Sequence, residues 1–312
     1  MGYNESAKVI LEKCLQVKEN ERVLIIADTN TEEIGESIFN YARKITKSEF
    51  QIISVGKQNG EEPDNEVARM MMGFDVIICP TTMSLTHTNA VKNAAKNGAR
   101  VATLPGITRR IMDESIIADY ARIKFVTEKL GGELKNKKMV NIKTAKGTDL
   151  SFSIDGRKWI LDYGIINKKG MIGNLPAGEV FIAPLEGSAN GVIVVDAFVN
   201  EGEEYCRKDA RIMINKGLAV DCDDKESLLN KYFKSIKNAR NIAEFGIGTN
   251  YQARVIGNIL QDEKAIGTCH IAFGNNSSFG GNVYSEMHID NVVQKPTIII
   301  DKKVIMKDGK IV

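Results

Sequence analysis

Histidine and tryptophan are nearly absent from these 312 residues, with three of the first and one of the second. Any imidazole chemistry must therefore run through His87, His270 or His288. Cysteine is scarce as well. Cys14, Cys79, Cys206, Cys222 and Cys269 are odd in number and widely spaced, and no C-x-x-C occurs. That argues against a disulfide framework and a structural zinc knuckle, and makes a reducing cytoplasm the expected compartment. Long apolar runs are missing. Val23–Ala27 and Val76–Cys79 fall far short of the roughly 20 residues a membrane helix needs. The first twenty residues carry Glu5, Lys8, Glu12, Lys13, Lys18 and Glu19, so no signal peptide is expected. Neither sign of charge dominates: 42 Lys plus Arg stand against 40 Asp plus Glu. No nucleic-acid or membrane partner is expected of such a balance.

Several motifs are also lacking. Gly246-Ile247-Gly248 has no third glycine for a dinucleotide fingerprint, because position 251 is Tyr. There is no phosphate-binding G-x-x-x-x-G-K-[ST], no G-x-S-x-G elbow and no H-E-x-x-H helix. What is present is ordinary globular material, 43% hydrophobic and 26% charged, enough for a large core. Up to residue 128 short apolar strands alternate with helical patterns. Strands are predicted at Val23–Ala27, Gln51–Val55, Asp75–Cys79 and Arg100–Leu104, with helices at Thr31–Lys44, Val67–Met72 and Asn89–Asn97 between them. This βα alternation predicts an open, parallel-sheet α/β domain over 1–128. After Leu130-Gly131-Gly132 the pattern turns to hairpins, and a β-rich α+β domain is predicted over 129–312. Its helices are expected at Glu226–Ala239 and Ala253–Ile259.

The chemistry concentrates in the second domain. Val283–Asp290 alternates like a strand, so His288 and Asp290 share a face. An imidazole beside a carboxylate suits a divalent metal. His270 lies in a second strand-like segment, on a face whose other members, Thr268, Ala272 and Gly274, are small. Glu179 and Glu244 stand in apolar, strand-like surroundings, where a carboxylate must be exposed, paired or metal-bound. Five such residues in glycine-punctuated segments of one domain make a metal centre the leading reading. His87, in a loop after a first-domain strand, and Asp196, at the end of an apolar strand, are secondary candidates for substrate binding. Glu263 and Lys264 read as a plain helix-end ion pair, and Cys269 as core.

The segments NLPAGEVFIAP, AEFGIGTN, GTCHIAFGNN and MHID, in that order from residue 174 to 290, resemble the signature blocks of the aminopeptidase T family of thermophilic metallo-aminopeptidases. The resemblance implies a two-metal site on Glu179, Glu244, His270, His288 and Asp290, holding Zn, Co or Mn. It also implies a peptide substrate losing its N-terminal residue, and a homodimer. The family's catalytic tyrosine position is Ser277 here, and Tyr284 is the candidate replacement. A related group, ring-cleaving dioxygenases acting on dihydroxypyridines, uses one iron. His270, His288 and Asp290 would supply its two-histidine, one-carboxylate site for Fe(II) and a small-molecule substrate. Charge favours two metals if both glutamates face the site: three carboxylates against two dications leave one positive charge, which a bridging hydroxide neutralises. A catalytically silent metal- or ligand-binding relative is the third alternative.

Overall fold

The computed structural model describes residues 3–196, 198–200, 203–206 and 208–312. The chain forms two compact units, 1–124 with 163–177, and 125–162 with 178–312. The sequence placed a single boundary at 128/129. That division needs correcting, because residues 163–177 return to the first unit, where Ile172–Asn174 adds a strand to its sheet. Only three residues long and half-buried, that strand lacks the apolar run that betrays its neighbours.

In the first unit five strands lie in the order Ser48–Ile53, Val23–Asp28, Val76–Cys79, Arg100–Thr103, Ile172–Asn174, all parallel. The apolar runs become the fully buried central strands, as expected of a parallel sheet covered on both faces. The helices Glu32–Ala42, Asn65–Met71 and Asn89–Lys96 fall where periodicity put them, within a few residues. Thr88 caps the last, its hydroxyl accepting from Val91 N–H. Among the described residues no helix is long and apolar enough to cross a membrane.

Arg100 opens its strand as a buried charge. It meets Glu21 through two hydrogen bonds of 2.7 and 2.9 Å and donates a third to the Leu15 carbonyl. The bond from Arg100 holds the Glu21 carboxyl below its usual range, against the opposing effect of burial. Glu21→Gln would leave the guanidinium without its counter-charge, a change that costs about 3–5 kcal/mol for a buried pair. Because the folded pKa is lowered, this stabilisation is complete above the unfolded carboxylate's pKa and disappears as pH falls through the folded value. Urea unfolding should therefore separate wild type from Glu21→Gln at neutral pH and bring the two together in acid.

The second unit is built on two large antiparallel sheets, with a two-stranded ribbon of Phe198–Asn200 and Glu203–Cys206 besides. Eight strands run in the order Leu218–Cys222, Arg211–Asn215, Asn190–Val194, Asp149–Ser153, Met139–Lys143, Thr297–Ile300, Lys303–Lys307, Lys310–Ile311. Five more run in the order His288–Gln294, Thr268–Gly274, Ile242–Gly248, Glu179–Ile182, Ile160–Asp162. Both sheets contribute to one core: Val140, Ile142, Leu150 and Phe152 from the first, Phe245, Ile247, Ile271 and Phe273 from the second. Phe152 and Phe245 meet edge to face with centroids 5.2 Å apart. The helix expected at Glu226–Ala239 spans Leu228–Ser235. The one expected at Ala253–Ile259 is not there. A four-residue turn of helix at Ile259–Asp262 follows it instead, capped by Asn258.

Candidate metal centre

Strand alternation decides which side chains can meet. In the five-stranded sheet Val180, Ile182, Phe245, Ile247, Cys269, Ile271, Phe273, Ile289 and Val293 enter the core. The alternate positions Glu179, Glu244, His270, His288 and Asp290 therefore project from the opposite face. Register then brings them together. Gly248 pairs with Glu179, Gly246 with His270, Glu244 with Ala272, Ala272 with Asp290, and Gly274 with His288. Every one of these ligand candidates has glycine or alanine as a cross-strand neighbour, so the long polar side chains converge over a floor of small residues.

The five side chains form two overlapping groups: Glu179, Glu244 and His270, and Glu244, His288 and Asp290. Within each group the ligand atoms lie within 4.8 Å of one another. His270 Nε2 is 3.2 Å from Glu244 Oε1 and 3.5 Å from Glu179 Oε2. His288 Nε2 is 3.4 Å from Glu244 Oε2 and 3.6 Å from Asp290 Oδ1. Glu244 thus lies between the two imidazoles. His288 Nδ1 is 2.8 Å from the Asn275 carbonyl. A carbonyl can only accept, so Nδ1 carries a proton and Nε2 is the atom turned to the carboxylates.

A cation suits this cluster. Glu179 Oε2 and Asp290 Oδ1 are buried without a hydrogen bond inside the protein, although each has an imidazole nitrogen a little beyond bonding distance. Without metal, protons take up the role. Burial works against charge on both histidines, but the carboxylates outweigh it. The bond to Glu244, with Glu179 and Asp290, raises His270 to about 9. Asp290 and Glu244 raise His288 well above the usual range. Burial would push Asp290 and Glu244 up, yet the imidazoles hold Asp290 down at about 2 and Glu244 below the ordinary carboxylate range. Glu179 goes the other way. Its burial outweighs Lys264 and His270, and its carboxyl is raised.

Gly246 is required by this packing. A Cβ built there would stand 2.1 Å from His270 Cε1 and 2.2 Å from its Nε2. Gly246→Ala must therefore displace the ring. Misplacing a reacting group by about 1 Å costs on the order of 10²-fold in rate. Metal affinity and kcat/KM should fall together in this variant, while far-UV circular dichroism stays as in wild type.

Two neighbours of the cluster carry more than their sequence context suggests. Lys264, which in the sequence reads as half of a helix-end ion pair, is buried with its ammonium 2.6 Å from Glu179 Oε1 and 2.7 Å from Glu263 Oε1. Burial opposes its charge, but the two carboxylates win and hold it well above the usual range. Phe279 meets the His288 ring edge-on with centroids 5.6 Å apart. Its loop, between the two histidine strands, is tied down by Glu186, which accepts from Asn276 Nδ2 and Asn282 N–H. Neither residue stands in a segment whose pattern points to a ligand.

Two secondary candidates of the second unit stay outside the cluster, and the third belongs to the first unit. Tyr284 is 69% exposed and precedes the strand, which begins only at His288. Its carbonyl accepts from Asn238. Asp196 is buried, with one oxygen on Lys146 and the other on Gln294 N–H, the contacts of a carboxylate that ties strands together. His87 belongs to the first unit, exposed on the turn that leads into the Thr88 cap. Ser277, at the tyrosine position, hydrogen-bonds Asn275 on an exposed turn. Cys269 is core, as expected, and the five cysteines are all buried and form no disulfide.

Comparison with known proteins separates the two related readings. A curated relative, the 2,5-dihydroxypyridine 5,6-dioxygenase of Pseudomonas putida (strain KT2440), is 24% identical over 263 residues, 78% of this chain and 73% of its own length. The solved structure of 2,5-dihydroxypyridine dioxygenase from P. putida KT2440 superposes with a TM-score of 0.81 at 18% identity, covering 100% of this chain and 98% of that one. Wild-type AmpT from Thermus thermophilus superposes at 0.75 with 17% identity, covering 99% and 98%. At such identities the two structures establish the fold alone. The aminopeptidase resemblance is thus a likeness of architecture, and the sequence match lies on the dioxygenase side. The profile of the family described as "NicX: 2,5-dihydroxypyridine 5,6-dioxygenase" matches residues 4–312, and this chain belongs to that family.

Proposed function

We propose that this protein is an iron-dependent dioxygenase that opens a hydroxylated pyridine ring of the 2,5-dihydroxypyridine type. The observation that carries the reading is that His270, His288 and Asp290 stand on one face of a sheet, in two donor groups joined by Glu244, with His288 already turned by the Asn275 carbonyl. Two imidazoles and one carboxylate are the donor set that non-haem iron oxygenases use. Family membership supports the substrate class, and the relative named as a dioxygenase matches most of this chain.

The side chains divide the work. His270, His288 and Asp290 would hold Fe(II), which when bound supplies the redox partner for dioxygen and a Lewis acid for a ring hydroxyl. Glu244, held ionised between the imidazoles, can orient that hydroxyl by accepting its hydrogen bond. Phe279, edge-on to His288, offers an apolar aromatic surface beside the donors, suited to a flat ring. The loop's anchorage on Glu186 keeps that surface in place.

The test is oxygen consumption. Metal-free protein loaded anaerobically with Fe(II) and mixed with 2,5-dihydroxypyridine in aerated buffer should take up oxygen in proportion to ring absorbance lost. Turnover of aminoacyl reporters with Zn, Co or Mn, without oxygen uptake, would restore the aminopeptidase reading. Metal binding with neither activity would identify a silent relative.

A further inference from the structure

We propose that Lys264 takes the place of a second metal ion, its buried ammonium holding Glu179 and limiting the centre to one divalent cation. The inference rests on the metal-dependent reading above. The five donors divide into two groups that share Glu244, an arrangement with enough ligands for two cations. One group, however, depends on Glu179. Its Oε1 is 2.6 Å from the Lys264 ammonium, and its Oε2 is the oxygen facing His270. A dication ligated by Glu179 in that group would be separated from a fixed positive charge by a single carboxylate, in surroundings where both lysine and glutamate are about 95% buried. Buried like charges at that range repel strongly, because little solvent screens them.

The lysine is built into its position. Gly248 pairs with Glu179 across the sheet, and a Cβ on Gly248 would stand 2.1 Å from the Ala265 carbonyl oxygen. The missing side chain lets the Lys264–Ala265 backbone cross directly above the Glu179 pair. Asn250 fastens it there, its N–H donating to the Lys264 carbonyl at 2.9 Å and its carbonyl accepting from Ile266 N–H at 3.0 Å. This bridge fixes the backbone from which the lysine side chain reaches Glu179. Glu263 completes its contacts at 2.7 Å. Burial raises the Glu263 carboxyl, against the pull of Lys264.

The test counts ions in the full-length protein. Metal-free wild type dialysed against Mn(II) should hold one ion per chain, with an uncoupled six-line electron paramagnetic resonance spectrum. Lys264→Met removes the charge and keeps the bulk, and should raise the count to two, with the exchange-broadened spectrum of a coupled pair. If that variant does not fold, Lys264→Met/Glu263→Gln relieves the remaining repulsion and carries the same expectation. Two ions per wild-type chain, or one ion per chain in a folded variant, would overturn the proposal. The functional reading fails separately. One Mn(II) per wild-type chain without oxygen uptake by the Fe(II) form defeats the dioxygenase and leaves the lysine's role intact. Two ions with oxygen uptake does the reverse.

Discussion

Replacing either His288 or Asp290 with alanine should strip the metal and lower turnover by about 10³-fold or more, with the fold intact. A bound metal supplies several kcal/mol of charge stabilisation in the transition state, and each 1.4 kcal/mol is about a factor of ten in rate. The fold should survive because neither side chain is core. His288 is 31% exposed and Asp290 15% exposed at the side chain, on the face turned away from Ile289 and Val293. Removing either also leaves charged neighbours with fewer partners: Glu244 loses an imidazole in one case, His288 a carboxylate in the other. The metal-free variants should therefore melt below metal-free wild type but still cooperatively, while metal added to the wild type alone raises its Tm. Atomic absorption on the dialysed proteins, with thermal melts with and without metal, checks both halves. A variant that retains stoichiometric metal would remove that residue from the donor set.

Much of this was legible from period-two alternation and the placement of small residues. His288 and Asp290 fall on one face of any strand that contains both, and the small neighbours of His270 announce space above it. The five cluster residues stand out without knowledge of the register, because a carboxylate or imidazole in an apolar, glycine-rich strand contributes little to packing and is costly to bury unpartnered. Register itself was not legible. The pairings of Gly248 with Glu179 and of Gly246 with His270 depend on loops whose lengths say nothing of which strand comes next. Lys264 was visible as a charge, but its burial follows from Gly248 and Asn250, whose roles appear only once the strands are paired. Leu130-Gly131-Gly132 misled in the same way. It reads as a break, yet both glycines lie inside the helix Tyr120–Leu134. A Cβ at Gly131 would stand 2.8 Å from Leu161, so the glycine marks close packing against a strand rather than the end of a helix.

Metal count is where a tally of ligand-like residues misleads. Three carboxylates and no cation favour two metals, and that arithmetic pointed to an aminopeptidase. Adding the ammonium of Lys264, 2.6 Å from Glu179, changes the sum. Three carboxylates and one ammonium leave two negative charges, which a single dication balances. Charge counted over residues that look like ligands omits the counter-charge supplied by residues that do not.

Metal loading should be strongly coupled to pH. In the metal-free centre His270 is raised to about 9 and His288 well above its ordinary range, so near neutrality each binds a proton where a metal would bind. Loading must release both, because metal and proton compete for the same nitrogen lone pair. The sign follows from the direction of the shifts. Below the raised values the protons are present and oppose the metal, and as pH rises through them the opposition disappears. By mass action two competing protons change the apparent affinity by about 10²-fold per pH unit below both values, so between pH 6 and 8 it should rise by roughly 10⁴-fold. The same protons stabilise the metal-free fold, since a histidine raised above its unfolded value contributes stability that is lost as pH climbs. Metal-free protein should thus weaken on the alkaline side, while metal-loaded protein grows more stable relative to it. Calorimetric titration with Mn(II) in buffers of different ionisation heat measures the protons released directly. A release near zero at neutral pH would show that His270 and His288 are already neutral in the metal-free centre, and the carboxylates around them would then need another source of positive charge.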